Sequence, residues 1–174
     1  FFPDANTIVF IRDPIERLIS CFLFWKYQKI LKNNLKHSLN IKLEKLNFEQ
    51  FIFSDDKEII NSTHDIQCRL LAGACFGKTS LTRTQVIGPN NDKTKTKYLV
   101  KDFLKKNPLC ARTSSMHLII KQISDLLGKK IEQNKSRERE TDIELKKSIK
   151  ISPKIIDRIY QTNELDYYLF DLVK

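Results

Sequence analysis

The sequence predicts an α/β fold that is rich in helices, and three features support this prediction. Thr7 to Ile11 is a short apolar run with β-branched side chains, typical of a strand buried on both faces of a mostly parallel sheet. An abrupt helix start follows at Asp13-Pro14. The remaining apolar patterns indicate several helices and few strands, so we expect the other strands of the sheet to lie upstream of Phe1.

The first helix is predicted to begin at Pro14. Asp13 is a suitable N-cap, and Pro14 fits the first helical position because an N–H group there would be unpaired anyway. Glu16 lies three residues after Asp13, which is the spacing of a capping box. Apolar residues at helical spacing continue to about Leu31, and an asparagine pair at positions 33–34 ends the helix.

The middle of the chain alternates polar segments with short helices. Residues 33–45 are polar and rich in lysine, which predicts an exposed loop or an irregular helix end. A short apolar helix is expected over residues 48–53, and another from His64 to Ala74 that ends near Gly73. Residues 77–91 contain a Gly-Pro-Asn-Asn turn signal and predict a loop.

The last part of the chain predicts three helices and one extended segment. In chain order we expect a helix at 97–106, the extended segment at 109–111, and helices at 114–127 and 153–169. Ser114 or Ser115 can supply the N-cap of the middle helix, and Gly128 its carboxyl-terminal cap. Ser152-Pro153 opens the final helix, after a highly charged region at 132–147.

Length and composition indicate one domain that carries a strong positive charge. A chain of 174 residues with 41% hydrophobic content can bury one core. Because it starts at Phe1 and runs directly into the predicted strand, we expect a single domain over residues 1–174 that is incomplete at its amino terminus. The net charge of +10 favours anionic partners such as nucleotides, nucleic acids, sulfated glycans or acidic membranes. No apolar run approaches the length of about 18 residues typical of a membrane span.

The cysteines and histidines do not predict a metal site. The four cysteines form no C-x-x-C pair, and Cys68 and Cys75 could either bridge in an oxidising compartment or serve as small buried apolar residues. His64 matches no tetrahedral ligand set, which favours a polar surface or helix-capping role, and His117 at a helix start is expected to be structural. The aromatic residues around Trp25 fit a core cluster better than a stacking platform.

Arg12 and Ser20 are the candidate anion-binding residues. Ligands of open α/β sheets gather at the carboxyl ends of strands, and a helix amino terminus offers free N–H groups and a favourable dipole. Arg12 would stand at that edge, where its planar guanidinium can bind two oxygens of one phosphate. Ser20 follows Asp13 by almost two helical turns, so its hydroxyl returns to the same face of the helix.

Residues 8–20 resemble the 3′-phosphate-binding segment of the carbohydrate sulfotransferases, and are especially similar to that of the heparan sulfate and uronyl 2-O-sulfotransferases. The matching residues are Ile8-Val9-Phe10-Ile11-Arg12-Asp13-Pro14-Ile15-Glu16-Arg17-Leu18-Ile19-Ser20. The resemblance implies a P-loop-like parallel sheet of the nucleoside triphosphate hydrolase type. It also implies that Arg12 and Ser20 hold the 3′-phosphate of the donor 3′-phosphoadenosine 5′-phosphosulfate. The expected reaction transfers a sulfuryl group to a hydroxyl or amine of a carbohydrate acceptor.

Two further segments resemble the same family. Residues 65–73 are similar to its Asn-Leu-Gln-Thr-Arg-type helix, and residues 163–168 to its closing Asn-x-x-Asp-type helix. Asn134-Lys135-Ser136-Arg137 resembles a late basic loop that folds over the donor nucleotide, which adds Lys135, Ser136 and Arg137 to the expected donor-binding residues. The resemblance further implies a Golgi-luminal location with an upstream membrane anchor in a eukaryote, and a cytoplasmic location in a bacterium.

The chain also departs from the pattern of that family. Relatives place a phosphosulfate-binding loop and their catalytic base before the segment that corresponds to residues 8–20, so we expect no catalytic residue in this fragment and no activity from it alone. Gly77-Lys78-Thr79-Ser80 resembles the end of a P-loop but lacks the earlier glycine and a preceding strand.

Three other functions stay open on the sequence. A nucleic-acid-binding module is suggested only by the charge, without a recognised motif or a basic helix, and we expect no nucleic-acid partner. A nucleotide kinase of related architecture is untested because the stretch that would hold its Walker-type loop is missing. A non-catalytic remnant of the sulfotransferase fold is the third alternative.

Overall fold

A computed structural model of the chain describes residues 8–27, 38–76, 92–106, 109–131 and 143–173. These ranges contain two strands and ten α-helices, and a short 3-10 turn precedes α7. In chain order they are β1 (Val9–Ile11), α1 (Pro14–Tyr27), α2 (Ser38–Glu44), α3 (Phe48–Ile52), α4 (Lys57–Thr63), α5 (Ile66–Phe76), α6 (Lys93–Lys106), β2 (Cys110–Arg112), α7 (Met116–Leu127), α8 (Ile143–Ser148), α9 (Pro153–Thr162) and α10 (Glu164–Leu172). The chain thus forms a helix-rich structure with a small parallel sheet.

The two strands form a parallel pair, as the apolar run at the start of the chain predicts. Their register sets Val9 opposite Cys110 and Ile11 opposite Arg112. Ile11 is buried, whereas Val9 is partly exposed within the described residues. The structure therefore confirms the predicted strand as part of a parallel pair, although β1 is shorter than expected. The predicted extended segment at 109–111 corresponds to β2.

Helix α1 begins at Pro14, as predicted. The Asp13 carboxylate accepts a hydrogen bond from the backbone N–H of Glu16 at 3.0 Å, so Asp13 caps the helix. Leu18, Phe22 and Leu23 recur at helical spacing and are buried. The predicted end of the helix near Leu31 lies outside the described residues.

The expected loop at 33–45 is wrong for residues 38–44, which form α2. Leu39 and Leu43 are four residues apart and share one helix face, and both are buried against the first core. Lys42, one of the lysines that suggested a loop, lies on the exposed side of this helix. Residues 33–37 lie outside the described ranges.

Two further boundaries differ from the sequence prediction. Asp56 caps the unpredicted helix α4 through hydrogen bonds from the N–H groups of Glu58 and Ile59. Helix α5 starts at Ile66 and passes through Gly73 to Phe76, so this glycine does not end the helix. The helix packs against α6, and we attribute its continuation to this tertiary contact, which outweighs the low helix propensity of glycine.

Near the carboxyl terminus the local signals are partly confirmed. Gly128 adopts a left-handed conformation with φ of 60° and ends α7, as predicted. Ser115 lies at the N-cap of α7, but its side chain makes no capping hydrogen bond. The single final helix is wrong, because Asn163 separates α9 from α10, while Ser152 caps α9 through the N–H group of Ile155.

Two groups of buried apolar residues form the core of the described structure. The first joins α1, α2, α3, α4 and α9 through Leu18, Phe22, Leu23, Leu39, Leu43, Phe48, Phe51, Ile52, Ile59, Ile155 and Ile159. The second joins the sheet to α5, α6 and α10 through Ile11, Cys68, Leu71, Ala72, Val100, Leu165, Leu169 and Val173. Helices α1 and α10 therefore contribute to different cores, and their contact links the two.

The side chains of three cysteines lie within the described residues. Cys21, Cys68 and Cys110 form no disulfide with one another, and Cys68 is fully buried in the second core, as expected for a small apolar side chain. The side chain of Cys75 lies outside the described part.

Among the described helices, none has the length and apolar character needed to cross a bilayer.

Replacement of Leu169 by alanine should destabilise the protein strongly. Leu169 is 0% exposed in the second core, so truncation leaves a cavity and should lower the free energy of unfolding by about 2–5 kcal/mol. Leu172→Ala on the same helix is the matched control, because Leu172 is 41% exposed and should lose less than about 1 kcal/mol. Urea titration followed by circular dichroism measures both values. Equal losses would contradict the assignment of α10 to the core.

Candidate functional site

Arg12 occupies the position between the sheet and the first helix. It directly follows the last residue of β1 and directly precedes Asp13, the N-cap of α1. Its side chain is partly buried, and Nε is enclosed by protein yet makes no hydrogen bond within the described residues. The Nε atoms of Arg17 and Arg158 are also enclosed without a hydrogen bond, so it is the position of Arg12 between strand and helix that makes it the candidate for anion binding.

Ser20 lies on the second turn of α1. Its side chain is partly buried, and its hydroxyl makes no hydrogen bond with another described residue. The six-residue step from Pro14 corresponds to about 9 Å along the helix axis. Arg12 therefore directly precedes the cap of α1, and Ser20 lies within the same helix. The other expected donor-binding residues, Lys135, Ser136 and Arg137, lie outside the described residues.

Arg17 lies between these two residues in sequence, but its charge is directed into the protein. Its Nε lies 3.5 Å from Oδ2 of Asp166, and its Nη2 donates to Oδ1 of Asn163 at 3.0 Å. The same guanidinium donates to the backbone carbonyls of Thr63, at 2.6 Å, and Ser62, at 3.4 Å. Arg17 therefore connects α1 to the end of α4, to Asn163 at the break between α9 and α10, and to α10 itself.

Two aspartates cap each other's helices. The Asp65 carboxylate accepts hydrogen bonds from the backbone N–H groups of Leu165, at 2.7 Å, and Asp166, at 3.1 Å, at the start of α10. In return the Asp166 carboxylate accepts from the N–H groups of Gln67, at 3.3 Å, and Cys68, at 2.8 Å, at the start of α5. Each carboxylate satisfies N–H groups that a helix cannot pair itself, and each lies at the positive end of the other helix dipole.

Asn163 completes this buried network at the break between α9 and α10. Its side-chain oxygen accepts from the backbone N–H of Asp65 at 3.2 Å as well as from Arg17, and its amide nitrogen donates to the carbonyl of Ile159 at 3.3 Å. Asn163 is fully buried, and its side chain has a partner for both polar atoms. We call Arg17, Asp65, Gln67, Asn163 and Asp166 the Arg17 cluster.

Gln67 links the Arg17 cluster to Arg12. Its side-chain oxygen accepts a hydrogen bond from the backbone N–H of Arg12, and its side-chain nitrogen donates to the backbone carbonyl of the same residue, both at 2.9 Å. The amide of Gln67 thus pairs with both backbone groups of Arg12, which is 55 residues away in sequence.

Burial controls the ionisation of the cluster. Loss of solvent raises the pKa of Asp166, which the charge of Arg17 partly offsets, and lowers the pKa of Arg17 itself. Burial also raises the pKa of Asp65 to about 6. Asp65 has a φ of 48°, a left-handed conformation that aspartate and asparagine tolerate better than most residues.

His64 has a structural position, as expected. It is the residue that ends α4, where its backbone N–H donates to the carbonyl of Ile60, and its own carbonyl accepts from Arg69 at 2.8 Å. Burial, followed by the charges of Arg158 and Arg69, lowers the pKa of His64 to about 4. No group of three metal-ligating side chains occurs in the part of the chain that the structure describes. Trp25 packs against the first core, as a core residue would.

The Arg17 cluster was not predicted as a site from the sequence. All three segments that supply it resemble segments of one known family. However, no local pattern indicates that residues about 50 and 100 positions apart pair with one another. The available signal was the isolated polar residues within apolar helices, namely Arg17, Gln67 and Asp166.

Comparison with known protein families matches one model. The model, described as the sulfotransferase family, matches residues 2–172 and so covers nearly the whole chain. Neither the curated proteins nor the solved structures gave a match.

Replacement of Arg17 by alanine should destabilise the fold more than loss of an exposed ion pair does. Arg17→Ala leaves the Asp166 carboxylate buried without its positive partner, which should cost about 3–5 kcal/mol of unfolding free energy. Lys42→Ala removes exposed ion pairs to Asp56 and Glu58, and its loss of stability should be much smaller because solvent screens exposed charges. Urea titration of both variants measures the two losses of unfolding free energy. Comparable losses would show that the buried pair is not a major constraint.

His64 and Asp65 should have opposite effects on stability between pH 4 and 6.5. His64 binds its proton less tightly in the folded state, with a pKa of about 4, so its contribution to stability rises with pH through this window. Asp65 binds its proton more tightly in the folded state, with a pKa of about 6, so its contribution falls over nearly the same range.

His64→Gln should therefore lose stability relative to the wild type as the pH rises from 4 to 6.5. We expect a change of about 1 kcal/mol in the difference between the two proteins, reduced from the full pKa shift because His64 is partly exposed. Asp65→Asn should show the opposite trend. Thermal unfolding at several pH values measures both trends. A constant difference across the window would contradict the altered pKa values.

Proposed function

Because the chain belongs to the sulfotransferase family, we propose that it binds 3′-phosphoadenosine 5′-phosphosulfate and serves the transfer of its sulfuryl group to a carbohydrate hydroxyl or amine. Sulfotransferases generally use this donor, and the family match supplies the reaction class. Arg12 and Ser20 are the residues that we propose to bind the 3′-phosphate of this donor. The net charge of +10 favours an anionic acceptor such as a sulfated or carboxylated glycan.

The observation on which the proposal depends is the position of Arg12. It stands at the carboxyl end of a strand in a parallel pair and at the amino terminus of the following helix. Ligands of α/β proteins collect at this place, where helix N–H groups face the anion. Arg12 adds a guanidinium with an enclosed nitrogen that no described residue satisfies, which suits a phosphate with its several acceptor oxygens.

Ser20 supplies a second contact in the proposed site. Its hydroxyl lies on the helix face that carries the N-cap and makes no hydrogen bond to a described residue. We propose that Arg12 and Ser20 bind the same 3′-phosphate from two sides, with Lys135, Ser136 and Arg137 closing over the nucleotide. This arrangement supports a P-loop-like sheet, in which β1 and α1 form one strand-to-helix unit.

The 3′-phosphate is remote from the transferring sulfuryl group, so its role is to orient the donor. Binding energy gained at such a remote group can be used to hold the reacting atoms in line. Transfer itself then depends mainly on positioning and on stabilisation of charge around the sulfuryl group, as in phosphoryl transfer. The planar guanidinium of Arg12 can maintain this contact throughout the reaction.

Loss of Arg12 should remove the preference for a 3′-phosphate. In the full-length protein, Arg12→Ala should weaken binding of adenosine 3′,5′-bisphosphate by about 10- to 100-fold, the loss expected for charge-assisted hydrogen bonds. Binding of adenosine 5′-monophosphate should change little, because it lacks the group that Arg12 contacts. Ser20→Ala should show a smaller loss of the same kind. Isothermal titration calorimetry measures both affinities.

Lys101→Ala is the control for the change in net charge, because Lys101 is exposed on α6 and should leave the affinity ratio unchanged. Equal affinity of the wild type for the two nucleotides would reject the proposed function. Salt-dependent binding of DNA or RNA without a nucleotide preference would favour the nucleic-acid alternative.

A further inference from the structure

We propose that Gln67 is a positioning residue for donor binding, which fixes the backbone of Arg12 so that its guanidinium meets the 3′-phosphate. The inference depends on the proposed function, since it assigns a role within the same site. It goes beyond that function because Gln67 lies on a different helix and acts through Arg12.

The first argument is the double hydrogen bond between the two residues. Regular pairing of β1 with β2 ends at Ile11, which lies opposite Arg112, so Arg12 is the first residue beyond the sheet register. Its N–H and its C=O both bind the amide of Gln67 at 2.9 Å. The side-chain amide thus supplies a donor and an acceptor to Arg12, as a neighbouring strand would.

The second argument is that the amide of Gln67 has one favoured orientation. Its side-chain nitrogen lies 3.5 Å from Oδ2 of Asp166, and its backbone N–H donates to the same oxygen at 3.3 Å. A carboxylate only accepts hydrogen bonds, so a flipped amide would set oxygen against oxygen at both Asp166 and the Arg12 carbonyl. Asp166 is in turn held by Arg17, so the position of Arg12 is coupled to the buried ion pair.

The third argument concerns what else holds Arg12. Its Nε makes no hydrogen bond within the described part of the chain, so the side chain is not fixed by a protein partner there. The backbone hydrogen bonds to Gln67 then restrain the point from which the Arg12 side chain extends, together with β1 before it and the capped start of α1 after it. A small rotation of the backbone at Arg12 would displace the far end of a long side chain, and misplacement by about 1 Å can be costly for a positioned group.

The test uses Gln67→Met in the full-length protein, because methionine keeps the length of the side chain and removes both hydrogen bonds. We expect binding of adenosine 3′,5′-bisphosphate to weaken about tenfold, with little change for adenosine 5′-monophosphate. Calorimetry separates a lower affinity from a smaller folded fraction, which changes the stoichiometry and leaves the dissociation constant unchanged. Gln122→Met on the exposed surface of α7 is the matched control and should keep the wild-type ratio.

A double-mutant cycle distinguishes positioning from a general effect on the fold. If Gln67 acts through Arg12, the Gln67→Met change should cause no further loss of bisphosphate affinity in an Arg12→Ala background. Additive losses would overturn the inference. If Gln67→Met does not fold, Gln67→Glu is used. It keeps an acceptor for the Arg12 N–H and sets a negative oxygen against the Arg12 carbonyl, so it should also weaken bisphosphate binding.

The outcomes for the inference and for the proposed function can be told apart. A wild-type protein without preference for the bisphosphate rejects the function and, with it, the role of Gln67. A wild-type protein with that preference, accompanied by Gln67→Met or Gln67→Glu with an unchanged affinity ratio, overturns the positioning role alone. A preference that is lost in both Arg12→Ala and the Gln67 variant, without additivity, supports it.

Discussion

The buried ion pair of Arg17 and Asp166 is the constraint on which the rest of the structure depends. Removing two such charges from water costs several kcal/mol each, and a single missing partner would leave that cost uncompensated. The fold meets this requirement with further hydrogen bonds. Arg17 donates to Asn163 and to backbone carbonyls, and Asp166 accepts from N–H groups at the start of α5. Since these groups come from distant parts of the chain, the pair is satisfied only when α1, α5 and α10 are all in place.

The mutual capping of α5 and α10 extends this constraint to the candidate site. Asp65 and Asp166 each satisfy the N–H groups of the other's helix, which fixes the start of α5 and therefore the position of Gln67. Gln67 in turn pairs with both backbone groups of Arg12. The residue that we assign to phosphate binding is thus connected through hydrogen bonds to the carboxyl-terminal helix.

Local signals predicted much of the fold, whereas long-range pairing could not be predicted. The Asp13 cap, the start at Pro14 and the left-handed Gly128 depend on a few neighbouring residues, and the structure confirms them. The helix at 38–44 and the break at Asn163 depend on which surface each segment meets in the folded protein. For the site, the sequence indicated Arg12 and Ser20. The partners of Arg17 could not be predicted, because they lie as far along the chain as Asp166.

The structure gives Arg17 a role that its charge alone does not reveal. Arg12 and Arg17 flank the amino terminus of α1, and either could have served an anion on grounds of charge alone. Arg17 has its guanidinium occupied by Asn163, Asp166 and backbone carbonyls, so an anion there would have to displace a buried carboxylate. Arg12 has its backbone held and its Nε unpaired within the described residues. An arginine that is restrained at its backbone at the carboxyl end of a strand suits recognition of a ligand phosphate, whereas the guanidinium of Arg17 is held by Thr63, Asn163 and Asp166.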